Sequence, residues 1–123
     1  METGCPFCDP PEDDILLSND QAYVIYDRYP VTEGHALVIT HRHVQSYFEA
    51  TPEERDGLWN LVGEAKVLLD EWSPDGYNIG INIGEAAGQT VMHLHIHLIP
   101  RRRGDVEDPR GGVRGAVPGR MSY

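Results

Sequence analysis

Three histidines, His93, His95 and His97, alternate with apolar residues in the segment Val91–Ile99. The two-residue period of a β-strand would place all three imidazoles on one face and the apolar side chains on the other. Each imidazole has two ring nitrogens that need polar partners, so such a row is a poor filling for an apolar core. Two kinds of chemistry suit it. The histidines could bind a catalytic zinc ion, or one of them could attack phosphorus while its neighbours orient it.

The loop that precedes the histidines favours attack on phosphorus. It runs from Gly84 to Thr90 and contains a second glycine, Gly88. The backbone N–H groups of such a turn can form a concave nest for an anion. Gln89 and Thr90 add side-chain donors directly before the histidine segment. Loop and histidines together predict a site for a phosphate group.

A Cys-x-x-Cys pair, Cys5 and Cys8, lies in a proline-rich N-terminal arm. The pair could be a redox couple, a local disulfide or half of a zinc site. A thioredoxin-like redox motif follows a strand and opens a helix, which this arm does not do. Four-coordinate zinc needs two further ligands, and candidates lie in His41-Arg42-His43 and at His93.

A small α+β domain built on an antiparallel sheet is expected to position these residues. Apolar runs and turn residues predict strands at Ile15–Leu17, Tyr23–Tyr26, His35–Thr40, Tyr77–Ile83 and Val91–Ile99, the last ended by Pro100.

One long helix is predicted to begin at Thr51. Thr51 is a good N-cap, Pro52 suits the first helical position and Glu54 completes a capping box. Apolar residues then recur at helical spacing from Leu58 to Trp72, which gives one apolar face.

The composition limits the classes of partner. The chain has 123 residues and a formal net charge of −10, which suits one domain and disfavours nucleic acid polymers and anionic membranes. The chain shows neither an apolar run of membrane-span length nor an export signal, and its two closely spaced cysteines give no disulfide framework, so we expect a cytoplasmic protein. Residues 101–123 carry six arginines against three acids.

The segment Gly88–Arg101 resembles the signature of the histidine triad family of nucleotide hydrolases and transferases. Asp27, Pro30, Gly34–Ile39 and the capped helix are similar to the rest of that fold, and the resemblance covers roughly residues 5–104. It implies a domain at residues 1–104 that includes the cysteine arm, followed by an extended Gly/Pro/Arg-rich tail at 105–123. It also implies a homodimer with a sheet that continues across the subunits.

The resemblance also implies a role for each matching residue of this chain. The middle histidine of the triad is the nucleophile towards the α-phosphate, which corresponds to His95. His97 is expected to hold a phosphate oxygen, and His35 to support the triad by hydrogen bonding. Asp27 matches the position that binds the ribose hydroxyls. The expected phosphate contacts are Asn82, Gln89 and Thr90, and Gly88 is a further expected substrate-binding residue.

In members of the family that have an N-terminal Cys-x-x-Cys, four residues form a structural zinc site. The matching residues here are Cys5, Cys8, His43 and His93. His41 is then a solvent-facing neighbour, and catalysis itself needs no metal.

The resemblance implies hydrolysis of phosphorus anhydrides in dinucleoside polyphosphates or related compounds, through a nucleotidyl-histidine intermediate. The step Pro100-Arg101, followed by Gly104-Asp105, resembles the fragile histidine triad branch. Nucleoside phosphoramidase activity is the first alternative, and a non-catalytic nucleotide-binding or scaffold protein is the second. Tail arginines such as Arg102 and Arg114 could meet distal phosphates or lie in solvent.

Overall fold

A computed structural model describes residues 4–121 of the chain; residues 1–3 and 122–123, the ends of the predicted arm and tail, lie outside it. The five strands are β1 (Leu17–Ser18), β2 (Ala22–Tyr26), β3 (Ala36–Thr40), β4 (Gly76–Gly80) and β5 (His95–Arg101). They form one sheet in the order β1-β2-β3-β5-β4, and every neighbouring pair is antiparallel. With the long helix described next, this confirms the predicted α+β class.

The helix α1 (Pro52–Leu69) begins with the predicted capping box. The Thr51 hydroxyl accepts a hydrogen bond from the Glu54 N–H at 3.0 Å, and the Glu54 carboxylate accepts one from the Thr51 N–H at 2.9 Å. These two bonds satisfy N–H groups that the first helical turn leaves without partners. After α1 a 3-10 turn covers Asp70–Trp72, and Ser73 reverses the chain with a φ of 54°. Within residues 4–121 no helix combines the length and apolarity needed to cross a bilayer.

The two faces of the sheet have different coverings. Val38 and Ile96 pack against α1 in the larger apolar cluster, where both are fully buried. On the other face, Leu37 and Ile39 pack with Phe7 of the N-terminal arm. The register pairs Leu37 with His97 and Ile39 with His95, so both histidines share the face that the arm covers.

The strand that carries the histidines is shorter at its start than predicted. It begins at His95, and His93 lies in an irregular bend before it. The prediction that His93 belongs to the same strand is therefore wrong. The Leu94 N–H donates to the Val44 carbonyl at 2.7 Å, a contact with a loop instead of a ladder bond.

Other predicted boundaries also differ. β1 covers Leu17–Ser18 instead of Ile15–Leu17. β4 ends at Gly80 instead of Ile83, and β5 continues through Pro100 to Arg101. Pro100 is tolerated because it lies beyond the last β3–β5 pair, Ala36 with Leu98, so one side of β5 has no ladder there. Part of the tail predicted as extended is a 3-10 helix at Gly112–Ala116, which lies beside β4.

Candidate active site

A cleft of about 560 Å³ opens between the N-terminal arm and the sheet face that carries the histidines. Strand β5 supplies His95 and His97, and His35 lies directly before β3. Apolar walls come from β2, β3 and the arm through Ile25, Tyr26, Leu37, Phe7, Pro6, Pro10 and Pro11. The cleft thus offers polar groups along its sheet floor and apolar surface at its sides.

The His95 ring forms a hydrogen bond within the protein through Nδ1, which leaves Nε2 available to a ligand. Its Nδ1–H donates to the backbone carbonyl of His93 across 2.7 Å. Because a carbonyl can only accept, Nδ1 carries the hydrogen and Nε2 carries the lone pair of the neutral ring. The His95 side chain is 8% exposed and lines the cleft. An oriented neutral imidazole in such a place is a competent nucleophile.

His35 and His97 form a short hydrogen-bonded relay. The Val31 N–H donates to His35 Nδ1 at 3.1 Å, so the hydrogen of the neutral His35 ring is on Nε2. That Nε2 lies 3.0 Å from His97 Nδ1 and donates to it. His97 therefore carries its own hydrogen on Nε2, as a donor for a group bound in the cleft.

Burial keeps these imidazoles uncharged near neutral pH. It lowers the pKa of His97 from 6.5 to about 4, and the neighbouring His95 and His35 add to the effect. Burial also lowers the pKa of His95, against the opposing bond to the His93 carbonyl. It lowers the pKa of His35 as well, although the Asp27 carboxylate opposes the change. The three histidines therefore present one N–H donor, on His97, and one lone pair, on His95, instead of positive charges.

Four of the predicted substrate contacts line the cleft: Asp27, Asn82, Gly88 and Thr90. Asp27 is oriented by the Tyr29 N–H, which donates to its Oδ1 at 2.8 Å. Gly88 has a φ of +95°, a conformation that favours glycine. These residues surround the histidines on the cleft side, where a nucleotide could meet them.

Gln89 does not fit its prediction as a phosphate contact. The side chain is only 4% exposed. Its Oε1 accepts from the Gly84 N–H at 2.8 Å, and its amide N donates to the Gln45 and Val91 carbonyls, each at 3.1 Å. Both amide hydrogens are thus used within the protein, so Gln89 holds the loop before the histidines in shape.

The four predicted zinc ligands come together beside the cleft. The ligand atoms of Cys5, Cys8, His43 and His93 all lie within 4.8 Å of one another. His93 donates its Nε2–H to the Thr40 carbonyl at 2.7 Å, which leaves the Nδ1 lone pair towards the sulfurs. That Nδ1 is 3.4 Å from Cys5 Sγ and 3.6 Å from Cys8 Sγ. His43 Nδ1 is 3.1 Å from Cys8 Sγ.

This cluster fits a tetrahedral zinc ion. Two thiolates and two imidazoles are a common structural donor set, and its bond lengths imply sulfur-to-nitrogen separations of about 3.6 Å. One other group in the described part of the chain, Asp27, His35 and His97, is close enough to hold a metal. It suits a metal poorly, because the Val31 N–H on His35 Nδ1 keeps the hydrogen on Nε2, the atom that would have to ligate.

The arm was expected to carry zinc ligands but not to form a wall of the cleft. Phe7, which lies between the two cysteines in the chain, is 8% exposed and lines the cleft. An aromatic residue inside a Cys-x-x-Cys pair was the signal in the sequence. Arg28, which the sequence reasoning also missed, is the one lysine or arginine among the described residues that line the cleft.

The tail arginines do not line the cleft. The Arg102 guanidinium donates to the carbonyls of Glu33 and Trp72, at 2.9 and 3.3 Å. The Arg114 Nε donates to the Arg120 carbonyl at 3.0 Å. Both side chains thus form hydrogen bonds with the tail or with loops beside it. The structure does not support the expected contact with distal phosphates.

Comparison with known proteins gives a consistent pattern. The sequence model of the HIT domain matches residues 11–104. A bis(5'-adenosyl)-triphosphatase of Dictyostelium discoideum is 34% identical over 98 residues, which cover 79% of this chain and 66% of that protein. An asymmetrical bis(5'-nucleosyl)-tetraphosphatase of Schizosaccharomyces pombe is 39% identical over 80 residues, which cover 64% of this chain and 44% of that protein. The chain thus spans less than two thirds of the length of both relatives.

A solved structure resembles the fold closely. It is the crystal structure of a zinc-bound histidine triad family protein from Mycobacterium smegmatis, with a TM-score of 0.75 and 35% identity. The match covers 85% of this chain and 80% of that one.

Proposed function

The chain belongs to the HIT domain family, and we propose that it is a nucleotide hydrolase that cleaves at the α-phosphate of dinucleoside polyphosphates or related nucleotidyl compounds. The observation that carries the proposal is the free lone pair of His95 Nε2 beside the N–H donor of His97, both in one cleft. The names of the D. discoideum and S. pombe relatives support the same substrate class.

The first step forms a nucleotidyl-histidine intermediate. His95 Nε2 attacks the α-phosphorus, an N–P bond forms, and the P–O bond to the rest of the substrate breaks. The bonding electron pair leaves on the departing oxygen. The ring gains positive charge as the bond forms, and the His93 carbonyl stabilises that charge because it already accepts the Nδ1–H at 2.7 Å.

His97 holds the phosphate during this step. Its Nε2–H donates to a non-bridging oxygen, and the relay from Val31 through His35 keeps that hydrogen in place. Asn82 and Thr90 line the same cleft and add side-chain donors. Neutral donors that are already aimed at the phosphate need no reorganisation as charge moves during the reaction.

The second step releases the nucleotide. A water molecule attacks the phosphorus, the N–P bond breaks, and its electron pair returns to His95 Nε2 while the proton of the water passes to solvent. Two displacements at phosphorus replace one difficult displacement by water. Asp27, with its carboxylate at the cleft, is proposed to accept hydrogen bonds from the ribose hydroxyls.

Nucleoside phosphoramidates are the second candidate substrate class. A second hollow of about 440 Å³ begins at His97 and Asn82 and continues to the tail at Gly112–Ala116. No lysine or arginine is among its described lining residues. A leaving group with little negative charge would suit that surface better than a long polyphosphate.

We propose that Cys5, Cys8, His43 and His93 bind a structural zinc ion, which would supply a cross-link between the arm and the sheet. The distances and the His93 tautomer support it, as does the zinc-bound relative. Purified protein is expected to contain one zinc per chain. His43→Ala should lose it and His41→Ala, a matched exposed neighbour, should retain it. Protein with no zinc, and with a stability that chelation leaves unchanged, would contradict the site.

A homodimer is proposed through the edge of the sheet. β4 is an edge strand, and Ile79 on it is 42% exposed. Trp59 on α1 is also 42% exposed. Light scattering at micromolar concentration should give twice the chain mass.

We also propose a cytoplasmic location, because the thiols of Cys5 and Cys8 must stay reduced to bind metal.

One assay tests the activity. Diadenosine tetraphosphate, diadenosine triphosphate and an adenosine phosphoramidate are compared side by side, with the wild type, His95→Asn and the control His41→Asn. We expect turnover of at least one substrate by wild type and control, and none by His95→Asn. Binding of AMP without turnover of any substrate would favour the non-catalytic alternative.

A further inference from the structure

Phe7 lies between the metal-ligand cluster and the nucleophile. The centroid of its ring is 5.0 Å from that of His95 and 6.1 Å from that of His93, with edge-to-face geometry in both pairs. The side chain is 8% exposed, and it lines the cleft. One aromatic ring therefore touches the nucleophile, a metal ligand and the space for the nucleotide.

The backbone of Phe7 is held on both sides. Cys5 and Cys8, two of the proposed zinc ligands, flank it in the chain. The Phe7 carbonyl accepts a hydrogen bond from the Tyr23 hydroxyl at 2.6 Å. Tyr23 is 1% exposed and belongs to β2, so the anchor is part of the sheet. The backbone of Phe7 is thus fixed, and its ring packs with Tyr23, Leu37 and Ile39 beside His95.

A second connection runs through His93. Its ring faces the two sulfurs, and its carbonyl accepts the Nδ1–H of His95. The nucleophile is thus oriented by the hydrogen bond that it donates to a metal-cluster residue and by a ring contact with the residue between the two cysteines.

We propose that Phe7 is a positioning residue for His95, and that the zinc-binding arm sets the nucleophile and one wall of the nucleotide cleft through it. The inference rests on the proposed function of His95. It implies that nucleotide binding changes the surroundings of the metal cluster, and that the state of the cluster affects the nucleotide site. The metal takes no part in bond making or breaking.

The first test replaces Phe7 while the zinc stays bound. Phe7→Ala should retain one zinc per chain but form the adenylyl-enzyme about tenfold more slowly at saturating substrate, since a displacement of about 1 Å at a reacting group can cost up to about a hundredfold. The effect should fall on kcat more than on KM. Phe7→Leu, which keeps most of the apolar volume, should recover most of the rate. Phe48→Ala is the matched control, because Phe48 is 75% exposed and lies away from the cleft.

The second test needs no turnover. The wild type is loaded with Co²⁺ in place of zinc and titrated with AMP, and the visible bands of the thiolate-bound cobalt are recorded. The bands should shift with the same dissociation constant that calorimetry gives for AMP. In Phe7→Ala loaded with Co²⁺, AMP should bind and shift the bands less than in the wild type, because only the connection through His93 remains.

The outcomes separate this inference from the proposed function. Wild-type rates in zinc-loaded Phe7→Ala, or cobalt bands that do not respond to bound AMP in the wild type, would overturn the role of Phe7. Loss of zinc from Phe7→Ala would also contradict it, since the residue would then act on the metal site instead of on His95. Failure of the proposed function would show separately, as AMP binding and a cobalt response in a wild type that has no turnover.

Discussion

His35 offers a way to separate the two hydrogen bonds of the relay. It accepts from the Val31 N–H on Nδ1 and donates from Nε2 to His97. An asparagine places its oxygen near the position of Nδ1, and a glutamine places its amide nitrogen near that of Nε2. His35→Asn should therefore keep the Val31 bond and lose the His97 bond, whereas His35→Gln should do the reverse.

The structure gives the order and size of the two effects. His35 is 3% exposed, so its bond to His97 lies out of bulk solvent. An unpartnered buried group costs about 1–3 kcal/mol, which is a factor of about 5 to 150 in rate if the loss falls on the transition state. Val31 is 69% exposed, and water can reach its N–H. We expect kcat/KM to fall within that range in His35→Asn and by less than about fivefold in His35→Gln.

Steady-state kinetics and ¹⁵N NMR of the His97 ring check this together. The wild type and His35→Gln should show His97 with its hydrogen on Nε2, and His35→Asn should show a mixture of tautomers. A lower kcat/KM in His35→Gln than in His35→Asn would refute the relay. So would an unchanged His97 tautomer in His35→Asn.

Further predictions concern the stability of the protein and the loop Gly84–Thr90 before the histidines. Thr51→Ala should lower the free energy of unfolding by about 1 kcal/mol through loss of the N-cap bond to Glu54, with turnover unchanged; denaturant titration and the standard assay check this. Because the pKa of His97 is lowered to about 4, the unfolded state binds its proton first as pH falls. The free energy of unfolding should therefore decrease between about pH 6.5 and 4, less steeply in His97→Gln, as urea titrations at several pH values would show. Gln89→Ala should speed hydrogen exchange across Gly84–Thr90, where a residue that only contacted phosphate would leave exchange in the free protein unchanged.

Features that depend on local sequence were predicted well. The capping box at Thr51 and Glu54 is formed by residues three apart in the chain, so its pattern is visible without tertiary information. The order of strands and helix also followed from apolar runs and turns. The metal-ligand cluster is non-local, and the resemblance to a family supplied it.

Features that depend on distant partners were missed. The period of two placed His93 in the strand, but its ring bonds to the Thr40 carbonyl and its neighbour Leu94 bonds to Val44. Gln89 looked like a phosphate donor because its partner Gln45 lies 44 residues away in the chain. The role of Phe7 as a cleft wall likewise depends on where the arm folds.

Trapping the covalent intermediate tests the central claim most directly. The wild type is mixed with diadenosine tetraphosphate, quenched within one turnover under alkaline conditions and digested, and the peptides are analysed by mass spectrometry. We predict one adenylyl group on His95, labile to acid, and no adenylylated peptide from His95→Asn. Turnover with no adenylyl group on His95, or normal hydrolysis by a folded His95→Asn protein, would contradict the proposed mechanism.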